Sequence, residues 1–139
     1  MMPNRRSFIK TTTASVLSAP LILNAQKAKT YNTAIIGAGW WGMNIVREAV
    51  ASGECKITAL CDVDDNQLAI ADQKLSEMTS DTAKHYKDYR EMLQREKPEI
   101  VIVATADHWH ALPTIAAIEA GADVYVEKPI SHTIYEGTA

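Results

Sequence analysis

From Tyr31 onward, short apolar runs alternate with longer stretches of helical period, and this alternation admits little other than parallel strands joined by crossover helices. Thr33-Ala34-Ile35-Ile36 reads as the first strand and Ile57-Thr58-Ala59-Leu60-Cys61 as the second. Between them the spacing predicts a helix from Trp41 to Ala51, with Ile45, Ala49 and Val46 facing inward and Gly53 stopping it. Asp64 is placed to cap a helix to Met78, in which Leu68, Ala71 and Leu75 recur at three- and four-residue spacing. A short strand is expected near Ala83 to Tyr86, followed by a helix from Tyr89 to Glu96 capped by Asp88 and ended by Lys97-Pro98. The β-branched run Ile100-Val101-Ile102-Val103 has no polar face, as in a strand covered on both sides within a parallel sheet. Ala111 to Ala120 follows as an apolar helix closed by Gly121, then a fifth strand at Val124-Tyr125-Val126 and a last helix beginning near Thr133. The expected fold is α/β, a doubly wound parallel sheet whose ligand lies outside the carboxyl ends of the strands.

Composition agrees with a folded domain: 47% of the 139 residues are apolar and 22% charged. The net charge is -3, but Arg5, Arg6, Lys10, Lys27 and Lys29 stand in the first 30 residues without an acid, which leaves the remainder acidic. A nucleic-acid partner is thereby disfavoured, since phosphate neutralisation needs a basic face. The only cysteines, Cys55 and Cys61, bracket the second strand. Six residues of strand span roughly 20 Å, too far for a disulfide, and both read as small core residues. No cluster with metal-ligand spacing accompanies them, and His108 and His110 lack an acidic or cysteine partner at matching spacing, so no metal is expected. His85 and His132 read as surface residues.

Asn4-Arg5-Arg6-Ser7-Phe8-Ile9-Lys10, ahead of a mildly apolar stretch from Thr11 to Leu23, resembles a twin-arginine export signal. At 13 residues that stretch is too short for a membrane span, which needs about 20. The expected organisation is therefore a signal and linker over residues 1–30, with the cleavage point open, and a nucleotide-binding domain over 31–139 of an exported protein.

Gly37-Ala38-Gly39-Trp40-Trp41-Gly42 sits between the first strand and the first helix, the context that gives a G-x-G-x-x-G string its meaning. Gly37 permits the tight turn, Gly39 admits a pyrophosphate to the backbone, Gly42 lets helix and strand pack, and the phosphates meet free N–H groups at the helix start. Trp40 and Trp41 fill the variable positions; one ring covers the cofactor, or the Trp41 indole packs under the helix. Twenty residues beyond Gly42, Asp62 ends the second strand, where a carboxylate accepts the adenosine ribose diol and repels a 2′-phosphate. Val63, Asp64 and Asp65 offer no arginine to attract one, so NAD is favoured over NADP.

Thr105-Ala106-Asp107-His108-Trp109-His110 follows the fourth strand and Glu127-Lys128-Pro129 the fifth, bringing both to the same sheet edge as the glycine loop. With these three motifs the chain resembles the nucleotide-binding domain of the Gfo/Idh/MocA family of NAD(P)-dependent oxidoreductases over about Tyr31 to Ala139. The resemblance implies that Gly37, Gly39, Trp40 and Trp41 line the pyrophosphate and Asp62 the adenosine ribose. It places Thr105, Trp109 and His110 on the nicotinamide-ribose side, and Glu127 and Lys128 beside the nicotinamide. In the family this lysine reaches toward a substrate hydroxyl, and the peptide before its proline is commonly cis. Lys128 is therefore the catalytic candidate, as a proton acceptor or as a hydrogen-bond donor orienting substrate. A lysine acts as a base only where its pKa falls toward neutrality, which a facing carboxylate such as Glu127 would oppose.

Family members continue into a second α/β domain that completes the substrate pocket and often forms an oligomer interface, so the chain reads as a fragment, inactive alone. The implied parent is an oxidoreductase moving hydride between nicotinamide and a sugar, cyclitol or related polyol. The alternatives are an NAD-dependent glycoside hydrolase of the same fold, redox-neutral overall, and a non-catalytic NAD-binding module.

Overall fold

The computed structural model describes residues 29–138. The export-signal reading falls on residues 1–28 and lies outside them. Five parallel strands form one sheet: β1 (Tyr31–Ile36), β2 (Cys55–Cys61), β3 (Lys84–Tyr86), β4 (Ile100–Val103) and β5 (Asp123–Val126), in the spatial order β3-β2-β1-β4-β5. Four helices connect them: α1 (Trp40–Ala51), α2 (Asp65–Met78), α3 (Tyr89–Glu96) and α4 (Ala111–Glu119). This is the doubly wound α/β arrangement, with the strand order reversing between β1 and β4, where such folds open a crevice for ligand.

Alternation along the strands divides the core into two layers. Ile35, Ile57, Leu60 and Ile102 pack with Met43, Val46, Leu68 and Leu75 of α1 and α2. On the other face Ala34, Ile36, Val101 and Val103 pack with Met92, Leu93 and Ala117 of α3 and α4. A register shift between Thr33 and Ala34 passes β2 over Thr58, so that Thr33 pairs with Ile57 but Ala34 with Ala59.

Helices α2 and α3 begin as the sequence suggests: Asp64 accepts the Asn66 N–H, and Asp88 accepts the Arg90 N–H. Helix α3 ends at Glu96, with Lys97 before the proline at φ 44. Two expectations need correction. The fully buried seam of α1 is Gly42, Met43 and Val46, with Ile45 and Ala49 half-buried and packed against the same core from its flank. Gly42 lies against the loop and β1, where a Cβ would meet Gly37 O at 2.1 Å and the Ile35 side chain at 2.8 Å. The helix expected near Thr133 is limited to a turn and the 3-10 segment Glu136–Thr138, headed by a reciprocal cap in which Thr133 Oγ1 accepts the Glu136 N–H and Glu136 Oε2 accepts the Thr133 N–H. Folded contacts also start before the expected boundary: Lys29 Nζ is 3.0 Å from Glu99 Oε1 and lies over the Tyr31 ring. Among the described residues no helix is long and apolar enough to cross a membrane.

Candidate functional site

All the chemistry-bearing motifs reach the carboxyl edge of the sheet. The glycine loop is locked there by its own backbone: Gly37 N–H donates to Cys61 O at 2.8 Å, and Ala104 N–H donates to Ile36 O at 2.9 Å. Gly37 has φ +91, and a Cβ there would stand 2.6 Å from the Ala104 carbonyl. At Gly42 a Cβ would meet Gly37 O at 2.1 Å, so this residue is required by the packing of α1 on the loop.

Gly39 differs. Its φ is -70, open to any residue, and a Cβ would find no atom of the described residues within 4 Å. The chain itself makes no demand for glycine here, and the space a side chain would take lies at the start of α1. Among the described residues no side chain caps that helix, and no acid occupies its first turn. Its leading N–H groups therefore face outward for an anion. These features fit a dinucleotide pyrophosphate.

Asp62, half-buried at the end of β2, accepts the Ala38 N–H through Oδ2 at 2.9 Å and the Asp64 N–H through Oδ1 at 3.1 Å. Each carboxylate oxygen retains a lone pair for a further donor, so the group can still receive a diol. Gly37, Asp62, Thr105 and Trp109 share a pocket of about 390 Å³. Lys87, Tyr89 and Arg90 line it too, and the sequence reading missed them. They stand after β3, far along the chain, and parallel pairing of β3 with β2 brings them beside Asp62. Their position just past a strand end was the available signal. Lys87 is held by Asp65, Nζ to Oδ2 2.6 Å, and Arg90 lies over the Tyr89 ring.

Trp40, Trp41 and Glu127 border a different hollow, a groove of about 740 Å³ between α1 and the open side of β4 and β5. The indoles are 70% and 48% exposed, so Trp41 does not pack under the helix. Cys55 also borders this groove and is only half-buried, whereas Cys61 is buried as expected. Burial, with Asp62 adjacent, pushes the Cys61 thiol up to about 12.

Glu127 accepts a hydrogen bond from the Tyr125 hydroxyl at 2.9 Å, and this bond, with burial second, raises the Tyr125 phenol above its usual range. Glu127 is thus turned to Tyr125, and no ion pair joins it to Lys128 among the described residues. Lys128 is exposed, with no hydrogen-bond partner for its amine among those residues, and the Lys128–Pro129 peptide is cis.

His110, expected on the nicotinamide-ribose side, is buried. It is 1% exposed, and its two ring nitrogens face backbone carbonyls: Nδ1 is 2.6 Å from Pro129 O and Nε2 3.0 Å from Thr105 O. His108 and His132 are exposed, and His85 lies 3.1 Å from Asp72 Oδ1 at the surface. Among the described residues no cluster of three metal-ligating side chains forms.

Residues 31–139 match the family described as an oxidoreductase family with an NAD-binding Rossmann fold, GFO_IDH_MocA. Glycosyl hydrolase family 109 protein 2 of Shewanella sp. (strain ANA-3) is 33% identical over 106 residues, 73% of this chain and 23% of that protein. Myo-inositol 2-dehydrogenase from Lactobacillus plantarum superposes with a TM-score of 0.68 at 30% identity, covering 78% of this chain and 31% of that one. Myo-inositol dehydrogenase from Lactobacillus casei, solved with NAD(H) and myo-inositol, has the same fold, with a TM-score of 0.70 at 22% identity over 78% of this chain and 31% of that one. The chain thus spans about a quarter to a third of the length of these relatives.

Proposed function

Since the chain belongs to the Gfo/Idh/MocA oxidoreductase family and comprises its NAD-binding Rossmann domain, we propose that it serves a longer enzyme that moves hydride between nicotinamide and a sugar, cyclitol or related polyol. The observation that carries the reading is the Asp62 carboxylate, tied to the glycine loop at Ala38 while facing a pocket shared with Thr105 and Trp109. Asp62 receives the adenosine ribose diol. The backbone at Gly39, Trp40 and Trp41 meets the pyrophosphate, helped by the positive end of α1.

NAD, when bound, supplies the hydride acceptor. Oxidation of an alcohol also releases a proton, and the candidate to accept it or to orient the hydroxyl is Lys128, exposed and unpartnered among the described residues. Glu127, held by Tyr125, leaves that amine free of a facing carboxylate. The remainder of the longer protein supplies the rest of the substrate pocket and an oligomer interface; the 139 residues alone bind NAD without turnover. Arg5 and Arg6 direct the protein to export by the twin-arginine route, which carries folded proteins.

Calorimetry with NAD⁺ and NADP⁺ tests the cofactor reading; tighter binding of NADP⁺ would contradict it. In the longer enzyme, Lys128→Met lowers turnover with NAD affinity kept, and unchanged turnover removes Lys128 from the chemistry. The similarity to a family 109 glycosyl hydrolase favours one second reading, transient oxidation with redox-neutral cleavage of a glycoside. Net NADH formation from free sugars separates the two. Affinity for NAD without either reaction at full length would leave a binding module.

A further inference from the structure

Strands β4 and β5 part after the bond from Glu127 N–H to Val103 O at 3.0 Å. Beyond that rung the chain forms two loops, one carrying Thr105, which lines the Asp62 pocket, and the other carrying Lys128. Among the described residues, the hydrogen-bond contacts joining those loops run through the His110 ring, 2.6 Å from Pro129 O on one side and 3.0 Å from Thr105 O on the other. The ring is buried, and its backbone is fixed as well: His110 N–H donates to Asp107 O, and His110 O accepts the Thr114 N–H at the start of α4.

We propose that His110 is a positioning residue, a buried strut that sets the spacing between the Thr105 and Lys128 loops and so shapes the nicotinamide end of the site without touching the nucleotide. This rests on the NAD reading above. Both partners are acceptors; a neutral imidazole donates its one N–H to one of them and an imidazolium donates to both, whereas an isosteric apolar ring donates to neither. The glycine loop and Asp62 also have anchors outside the strut, Gly37 N–H to Cys61 O and Ala38 N–H to Asp62 Oδ2, so the adenosine end is the less affected of the two.

The test compares NADH with ADP-ribose, which keeps both phosphates and the adenosine but lacks nicotinamide. In the 139-residue chain, His110→Phe weakens NADH binding by roughly tenfold, the scale of one lost net hydrogen bond, while ADP-ribose affinity stays within about threefold. His110→Gln, which retains an N–H donor, recovers part of the NADH affinity. A variant with both affinities reduced alike, or with neither changed, overturns the strut while leaving the NAD reading standing. Failure of the unaltered chain to bind either probe sinks both. Independently of folding in any variant, NMR of the unaltered chain shows a His110 ring N–H protected from solvent exchange; a ring exchanging as freely as that of exposed His108 also overturns the proposal.

Discussion

The Asp62 carboxylate accepts the Ala38 N–H at 2.9 Å, so the residue expected to read the ribose also braces the loop expected to hold the phosphates. Two residues 24 apart in sequence are thereby tied by one hydrogen bond. Asp62→Asn keeps an acceptor for Ala38 but removes the charge. It lowers NAD affinity by about tenfold, in line with the extra worth of a charged hydrogen bond, and narrows the preference over NADP. Titration of both dinucleotides checks this; an unchanged ratio would take selectivity away from Asp62.

Gly39 and Gly42 should separate ligand binding from folding. Gly39→Ala places a methyl in open space and leaves thermal stability near that of the parent, yet weakens NAD binding by about tenfold or more because the pyrophosphate must approach the backbone there. Gly42→Ala puts a Cβ against Gly37 O and the Ile35 side chain, and overpacking of that kind costs roughly 2 kcal/mol or more. Thermal melts and calorimetry on the two variants give opposite orders of damage.

Away from the site, Glu96 should make stability pH-dependent at both extremes. The Tyr86 hydroxyl, and then Lys84 at 2.9 Å, hold the Glu96 carboxyl below its usual range, while the bond to Glu96 pushes the Tyr86 phenol up to about 12. A depressed carboxyl stabilises the fold above its unfolded pKa of about 4.3 and loses that contribution as pH falls. A raised phenol does the reverse, stabilising below about 10 and losing it as pH climbs toward 12. Glu96→Gln therefore flattens both limbs of a stability–pH curve; unaltered limbs would dismiss the cluster as a source.

The cysteines should differ in reactivity. At pH 8 a disulfide reagent labels half-buried Cys55 in the folded chain but reaches Cys61, with its thiol raised to about 12, only on unfolding. Two equivalents released at the same fast rate would contradict the burial of Cys61.

Much of this molecule was legible in its order of residues. The runs at Ile35, Leu60 and Ile102 had to be buried, Asp64 and Asp88 announced helix starts, and the glycine loop lay between a strand and a helix, because hydrophobic period, caps and turns are local properties. Local pattern could not set the rotation of α1, where Gly42 lies against Gly37 and Ile45 and Ala49 take the flank. Nor could it show Lys87 and Arg90 beside Asp62, or place His110 behind the site between two carbonyls. Those placements arise from strand pairing and burial between segments distant in sequence, where a side chain's partners are set by the sheet that gathers them rather than by its neighbours along the chain.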